Sequence, residues 1–133
     1  MWDERIAMAR NDGMAALAEP TLERWFTPAY FAENGDGVEL SRAEIRSTPV
    51  AGYVGCCQAI ADLDYTDRLG GIGTPTLVIA GEDDPSTTVE AAETIANGIA
   101  GARLAVIDDA RHIATVEHSA IYTETLMGFL KAH

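Results

Sequence analysis

The sequence predicts an α/β fold in which several helices precede a strand–helix–strand–helix unit with parallel strands. Two short apolar runs, Thr76–Ala80 and Arg103–Ile107, have the length and residue types of buried strands. The segment between them, 89–99, carries apolar residues at helical spacing and ends near glycines. A helix that joins two strands of one sheet makes a right-handed crossover, so the two strands are expected to be parallel.

The chain before position 69 is predicted to be helical and to contain no strand. Apolar residues recur at helical spacing from Trp2 onward. A second helix, Met14–Ala18, is expected to break at Pro20, and a further turn or two is expected over Thr21–Phe26. Short helices therefore follow one another through this half of the chain.

Local signals predict where later helices begin. Ser41 and Glu44 have the spacing of a capping box, and Pro49 is suited to the first position of a helix of about three to four turns. That helix contains the adjacent cysteines Cys56 and Cys57, which cannot readily close a disulfide with each other. Both are expected to be small apolar core residues, with no redox role.

Length and composition are those of one ordinary globular domain. The chain has 133 residues, of which 47% are hydrophobic and 23% charged. No apolar run of about 18 residues is present, and no basic segment precedes an apolar one at the N-terminus, so a cytoplasmic protein is expected. The net charge of −12, with no basic cluster, disfavours nucleic acid and membrane surfaces as partners.

A sheet of only two parallel strands poses a physical difficulty. Its outer edges would be unpaired, whereas parallel sheets occur almost only buried within larger layered structures. The chain is therefore expected to be the second half of a larger doubly wound domain, with earlier strands beside Thr76–Ala80.

Polar residues follow both predicted strands. Asp83 and Asp84 follow the first strand, and His112 follows the second after a short loop. Parallel α/β proteins place functional groups at such strand ends, where a carboxylate can orient an imidazole as a general base. The alternatives are that Asp84 only begins a turn before Pro85 and that His112 is a hydrogen-bonded loop residue.

At these residues the sequence resembles the α/β-hydrolase family and, more narrowly, the 3-oxoadipate enol-lactonases. Pro75–Pro85 is similar to the strand and turn that carry the family's catalytic acid, and Asp108–Glu117 is similar to the segment that carries its histidine. Gly13–Ala18, Glu23–Pro28 and Ala51–Ala59 resemble the helical cap of the lactonases. The resemblance covers nearly the whole chain.

The resemblance implies a carboxylic-ester hydrolase that opens a small-molecule lactone in aromatic-compound degradation by the β-ketoadipate route, without a cofactor. Asp84 matches the catalytic acid, with Asp83 as the fallback, and His112 matches the catalytic histidine. Residues 1–66 would form the helical cap, and residues 67–133 the C-terminal part of the α/β-hydrolase core. The glycine-rich Leu69–Pro75 would be a flexible connection near that division.

The helical cap implied by the resemblance suggests two substrate contacts. Trp25 is expected to be a pocket wall, although it and Phe26 could equally be core residues of the helical cap. Arg24 is a candidate for holding a free carboxylate of the substrate against the overall negative charge.

One part of the family's machinery does not occur in this sequence, namely the nucleophilic serine in a G-x-S-x-G turn. Serines 41, 47, 86 and 119 lie at predicted helix starts or turns, where a capping role is expected. In the family this serine, the oxyanion hole and the earlier strands precede the helical cap. The resemblance therefore implies a C-terminal half whose partner is a polypeptide that carries the serine.

Two other readings of function stay open. The chain could be a non-catalytic binding or assembly module that kept the fold, or half of an esterase or dehalogenase with another substrate. A metal site at His112, Glu117 and His118 is disfavoured because the spacing matches neither H-E-x-x-H nor H-x-x-E-H. A phosphate loop at Gly70–Gly73 is disfavoured because these glycines precede a strand rather than follow one.

Overall fold

Helices make up the first half of the chain, and strands alternate with helices in the second half. The computed structural model describes residues 1–133. The elements in chain order are α1 (Trp2–Asp12), α2 (Met14–Trp25), α3 (Pro28–Glu33), α4 (Asp36–Ser47), α5 (Val50–Ala61), a 3-10 helix (Thr66–Gly71), β1 (Leu77–Gly81), α6 (Val89–Gly98), β2 (Arg103–Ile107), α7 (Ala114–Glu117) and α8 (Ser119–Leu130).

The early helices share one apolar core centred on α2, which packs against α1 and α4. Leu17, Leu22 and Phe26 are its largest side chains and are almost completely buried. Arg5 adds a polar link across the helices, since it donates to the hydroxyls of Tyr53 at 2.8 Å and Thr21 at 2.7 Å. This core holds the end of α2 in a defined place.

Helix α2 runs without a break through Pro20, so the predicted break there is wrong. A proline inside a helix removes one hydrogen bond and costs about 3 kcal/mol. Leu17 and Ala18 before it, and Thr21 and Leu22 after it, are all buried against neighbouring helices. Burial of this continuous face outweighs the local cost, while the proline ring itself is exposed.

Three predicted helix starts also differ from the structure. Helix α4 begins at Asp36, so Ser41 lies inside it and donates to the carbonyl of Gly37 at 2.8 Å rather than forming a capping box. Asp36 at the helix N-terminus is favoured by the helix dipole. Pro49 precedes α5 as its N-cap, and Ser119 is the first residue of α8 and makes no capping hydrogen bond.

The two strands form the predicted parallel pair. Their register runs from Leu77 opposite Arg103 to Gly81 opposite Ile107, and α6 connects them. Strand β1 is one residue later in the chain than predicted, whereas the bounds of β2 are confirmed. A small core of Ile107 and two alanines lies where β2 leads into the next loop.

Two further expectations need correction. Cys57 is buried in α5, but Cys56 is exposed, because neighbouring residues of a helix face directions about 100° apart. The expected flexible connection begins inside the 3-10 helix Thr66–Gly71, where Leu69 lies against Gly98 of α6. No helix of this chain has both the length and the apolar composition needed to cross a membrane.

Candidate active site

Two loops at the carboxyl ends of the strands form the candidate site. The acid loop, 82–88, follows β1, and the histidine loop, 108–113, follows β2. The loops are joined directly, since the backbone N–H of Glu82 donates to Ile107 and that of Asp83 donates to Ala110, both at 2.9 Å. Parallel strands thus bring the two predicted polar segments together at the carboxyl end of the sheet.

Asp84 and His112 are in direct contact within this site. Nδ1 of His112 lies 2.8 Å from Oδ2 of Asp84. The carboxyl side chain of Asp84 is 5% exposed, whereas the imidazole is 33% exposed. The buried carboxylate can therefore orient the ring through Nδ1, and Nε2, which makes no hydrogen bond, can exchange a proton.

Hydrogen bonds keep the Asp84 carboxyl ionised despite its burial. Burial raises the pKa of Asp84, but donation from the Thr87 hydroxyl, from His112 and from the backbone N–H groups of Ser86 and Thr87 outweighs it and lowers the pKa below the ordinary value. The backbone donors bind Oδ1 at 2.7 and 3.1 Å. A negative charge is thus held beside the imidazole.

Thr87 is a site residue that the sequence reasoning missed. Its hydroxyl donates to Oδ2 of Asp84 at 2.6 Å and lies 3.2 Å from Nδ1 of His112. Asp side chains commonly accept hydrogen bonds from groups two or three positions later in a turn. The Asp-Pro-Ser-Thr string was the available signal for this contact.

Gly81 allows the two loops to approach each other. A Cβ atom at this position would lie 2.5 Å from the carbonyl oxygens of both Ala110 and Arg111. No side chain fits in that space, so a residue larger than glycine would push the histidine loop away from β1.

The end of α2 completes the site from the helical side. The Trp25 ring stacks over the His112 ring, with centroids 6.3 Å apart and an angle of 26° between the planes. The Trp25 carbonyl accepts a hydrogen bond from the backbone N–H of Ile113 at 3.0 Å. Phe26 is wholly buried in the helical core, and Trp25 is partly buried and packs against the same core.

The remaining candidates take separate positions. Arg24 donates to the Ser86 hydroxyl through Nε at 3.2 Å and through a terminal nitrogen at 3.0 Å, so it lies on the acid loop. Asp83 is exposed, and its carboxylate makes no hydrogen bond. His118 turns to the carbonyl of Asp109 at 3.0 Å rather than toward His112. No group of three or more His, Cys, Asp or Glu side chains could hold a metal ion.

A cavity of about 130 Å³ lies beside the Asp84–His112 pair. Thr87, Thr115 and Tyr122 contribute to its lining, together with the last residues of β1. Ligand pockets commonly measure about 300–1,000 Å³. The cavity beside the pair is therefore smaller than a usual ligand pocket.

Comparison with known proteins shows the family. A model of the family described as the alpha/beta hydrolase fold matches residues 39–119. The chain belongs to this family.

Within the family, the chain resembles the 3-oxoadipate enol-lactonases. It is 32% identical over 130 residues to 3-oxoadipate enol-lactonase 2 of Acinetobacter baylyi, which covers 98% of this chain and 48% of that protein. The crystal structure of the enol-lactonase from Burkholderia xenovorans superposes with a TM-score of 0.95 at 36% identity, covering 98% of this chain and 50% of the other.

Esterases are also similar. A thermophilic esterase from Thermogutta terrifontis, solved with malate bound, is 27% identical with a TM-score of 0.86 and is covered to 47%. The chain spans about half the length of each of these three relatives.

Proposed function

We propose that this chain is the C-terminal portion of a carboxylic-ester hydrolase of the 3-oxoadipate enol-lactonase type. It would supply the acid and the histidine of a Ser-His-Asp triad, and a polypeptide outside this chain would supply the serine. The 2.8 Å contact between Asp84 and His112 at neighbouring strand ends carries the proposal. The likeness to the enol-lactonases over 98% of the chain supports the substrate class.

The proposed reaction uses the imidazole twice. Nε2 of His112 takes the proton of the serine as its oxygen attacks the lactone carbonyl. The tetrahedral intermediate collapses, the ring C–O bond breaks, and His112 returns the proton to the departing enol oxygen. His112 then takes a proton from water as the water oxygen attacks the acyl-serine ester. It returns this proton to the serine oxygen when the ester bond breaks and the free acid leaves.

Asp84 has an electrostatic role in this scheme. Hydrogen bonding of its carboxylate to Nδ1–H places the basic lone pair on Nε2 and stabilises the imidazolium that forms in each half-reaction. Because the pKa of Asp84 is lowered, the carboxylate is ionised at neutral pH. The pair is thus ready to act as a general base without prior deprotonation of the acid.

Substrate recognition would begin at the end of α2. Trp25 lies over the His112 ring and would form one wall of the pocket. Arg24 would attract a free substrate carboxylate, using donors beside those that bind Ser86. The remaining walls and the oxyanion hole would come from the polypeptide that carries the serine.

The exposed surface of the second half of the chain supports the proposal that a large polypeptide packs against it. The sheet has only two strands, and several apolar side chains near it are exposed, namely Val106, Ile121, Met127 and Leu130. Covering the strand edge and these side chains would make a permanent interface of roughly 2,000 Å² or more.

The decisive experiment examines the native sample. Intact mass and peptide composition would identify any second chain or additional segment, and a fluorophosphonate probe would label an activated serine. We expect 3-oxoadipate enol-lactone hydrolysis together with labelling of a serine in a G-x-S-x-G turn. A folded, monomeric 133-residue chain with no associated serine segment would overturn the proposal and favour a non-catalytic binding module.

A second candidate is an esterase half with a different substrate, which the likeness to the Thermogutta esterase supports. Such an esterase would use the same Asp84–His112 pair and would differ in the shape of its substrate pocket. A panel of lactones and simple esters on the same native sample separates the two, since the lactonase proposal requires the highest kcat/KM on the enol-lactone.

A further inference from the structure

A carboxylate outside the Asp84–His112 pair joins the histidine loop to the end of α2. Glu117 of α7 accepts a hydrogen bond from the backbone N–H of Thr27 at 3.1 Å and another from the Thr27 hydroxyl. Its second oxygen accepts from the backbone N–H of Arg111 at 3.2 Å. One side chain thus binds the residue before His112 and the second residue after Trp25.

The same junction has three further contacts. The Arg111 guanidinium donates to the carbonyl of Glu23 at 2.5 Å and to that of Phe26 at 3.5 Å, and the backbone N–H of Ile113 donates to Trp25. The last carbonyls of a helix have no partner within the helix and carry partial negative charge. The histidine loop therefore donates hydrogen bonds to carbonyl groups at the C-terminal end of α2.

Within this junction, the Glu117 carboxylate accepts hydrogen bonds from backbone N–H groups of both the histidine loop and the segment after α2. Without it, the N–H groups of Thr27 and Arg111 would lose their acceptor in a partly buried position, which is unfavourable unless water replaces it. Loss of the link would free the backbone next to His112 and the backbone next to Trp25 to move independently.

Resting on the proposed function, we propose that Glu117 is a positioning residue for the reaction. It holds the His112 ring against Asp84 and fixes the Trp25 wall over that ring, so base and substrate wall keep one relative placement. Glu117 makes no hydrogen bond to His112 and does not line the cavity beside the Asp84–His112 pair, so it acts through the backbone of Arg111 and Thr27.

The test uses the native protein with any polypeptide that co-purifies with it. Glu117→Ala removes both acceptor oxygens, and Glu117→Gln keeps one, which provides a milder variant if the first does not fold. Glu44→Ala is the matched control, because Glu44 is an exposed glutamate of α4 whose side chain makes no hydrogen bond, away from the exposed apolar side chains of α8. The two readouts are lactone kinetics and the Nδ1–H resonance of His112 in histidine-labelled protein.

Loss of Glu117 is expected to lower kcat about 10–100-fold, in line with the effect of small misplacements of reacting groups. KM should change much less, and the Nδ1–H resonance should shift or broaden. Glu117→Gln should fall between Glu117→Ala and the wild type, and the control should match the wild type in both readouts.

The outcomes separate this proposal from the proposed function. Wild-type protein that hydrolyses lactone, with Glu117 variants that keep kcat and an unchanged resonance, would overturn the positioning role while leaving the function intact. Wild-type protein without hydrolase activity, with a resonance that still changes in Glu117→Ala, would overturn the function and support the structural link.

Discussion

Nδ1 of His112 lies 2.8 Å from Oδ2 of Asp84, although 28 positions separate the two residues in the chain. The strand register places Gly81 opposite Ile107, so the loops that follow these residues leave the sheet side by side. Gly81 then admits the backbone of the histidine loop at close range. The contact between acid and base is therefore a consequence of parallel pairing and of one position without a side chain.

Asp84→Asn is expected to lower kcat for lactone hydrolysis about 10⁴-fold, because an amide neither stabilises the imidazolium nor selects its tautomer. His112→Ala should cause a loss of similar size. Steady-state kinetics on the native sample measure both. Asp83→Asn is the matched control and should keep wild-type kcat, and undiminished turnover by Asp84→Asn or His112→Ala would contradict the assignment.

Thr87→Val should lower the free energy of unfolding near neutral pH, because the lost hydroxyl donor raises the pKa of Asp84 toward its ordinary value of 3.8. A folded-state pKa below the unfolded-state pKa stabilises the fold fully at pH values above the unfolded-state pKa. This stabilisation is lost as the pH falls through the folded-state pKa. The difference in unfolding free energy between wild type and variant should thus shrink below about pH 4.

Urea unfolding at a series of pH values measures this difference. Thr123→Val, at an exposed threonine of α8 without a hydrogen bond, is the control and should show no such dependence. A difference for Thr87→Val that stays constant down to acid pH would show that the hydroxyl does not act on Asp84.

Gly81→Ala should destabilise the fold by roughly 1–3 kcal/mol, the usual range for overpacking. The new methyl would meet two carbonyl oxygens of the histidine loop at 2.5 Å. Gly55→Ala is the matched control, since Gly55 lies in α5 with open space around it and should gain about 0.5–1 kcal/mol. Equal unfolding free energies for the two variants would refute the close approach.

Trp25→Ala should reduce kcat/KM for the enol-lactone more than for a small activated acetate ester. The indole lies over the His112 ring and would contact a large substrate, whereas a small acetate needs little of that wall. Parallel kinetics on the two substrates test this. An equal loss on both would show that Trp25 acts only in folding.

Arg24→Met should raise KM about tenfold for a lactone with a free carboxylate, as expected for loss of a charge-assisted hydrogen bond. A neutral lactone of the same ring should be unaffected. Ser86→Ala is the control, because it removes the observed partner of Arg24 but keeps the guanidinium. An equal rise in KM for both lactones would show that Arg24 acts by holding the acid loop through Ser86 rather than by binding the substrate.

Much of the fold could be predicted because its signals are local. The apolar runs of the strands, the helical period between them and the order of the elements predicted a parallel pair, and the structure confirms it. The same strand ends singled out Asp84 and His112, because strand-end polar groups carry chemistry in parallel α/β folds. The domain division at residues 66 and 67 stays a prediction.

The sequence by itself determined which chemical groups are present, where the strong periodic segments lie, and that no G-x-S-x-G turn occurs in these residues. Only the tertiary structure decided that α2 continues through Pro20 and that Cys56 faces outward. It also decided that Thr87 links Asp84 to His112 and that Glu117 links the histidine loop to the end of α2. These outcomes depend on contacts between distant segments. Local propensity is worth only a few kcal/mol, and burial against another element outweighs it.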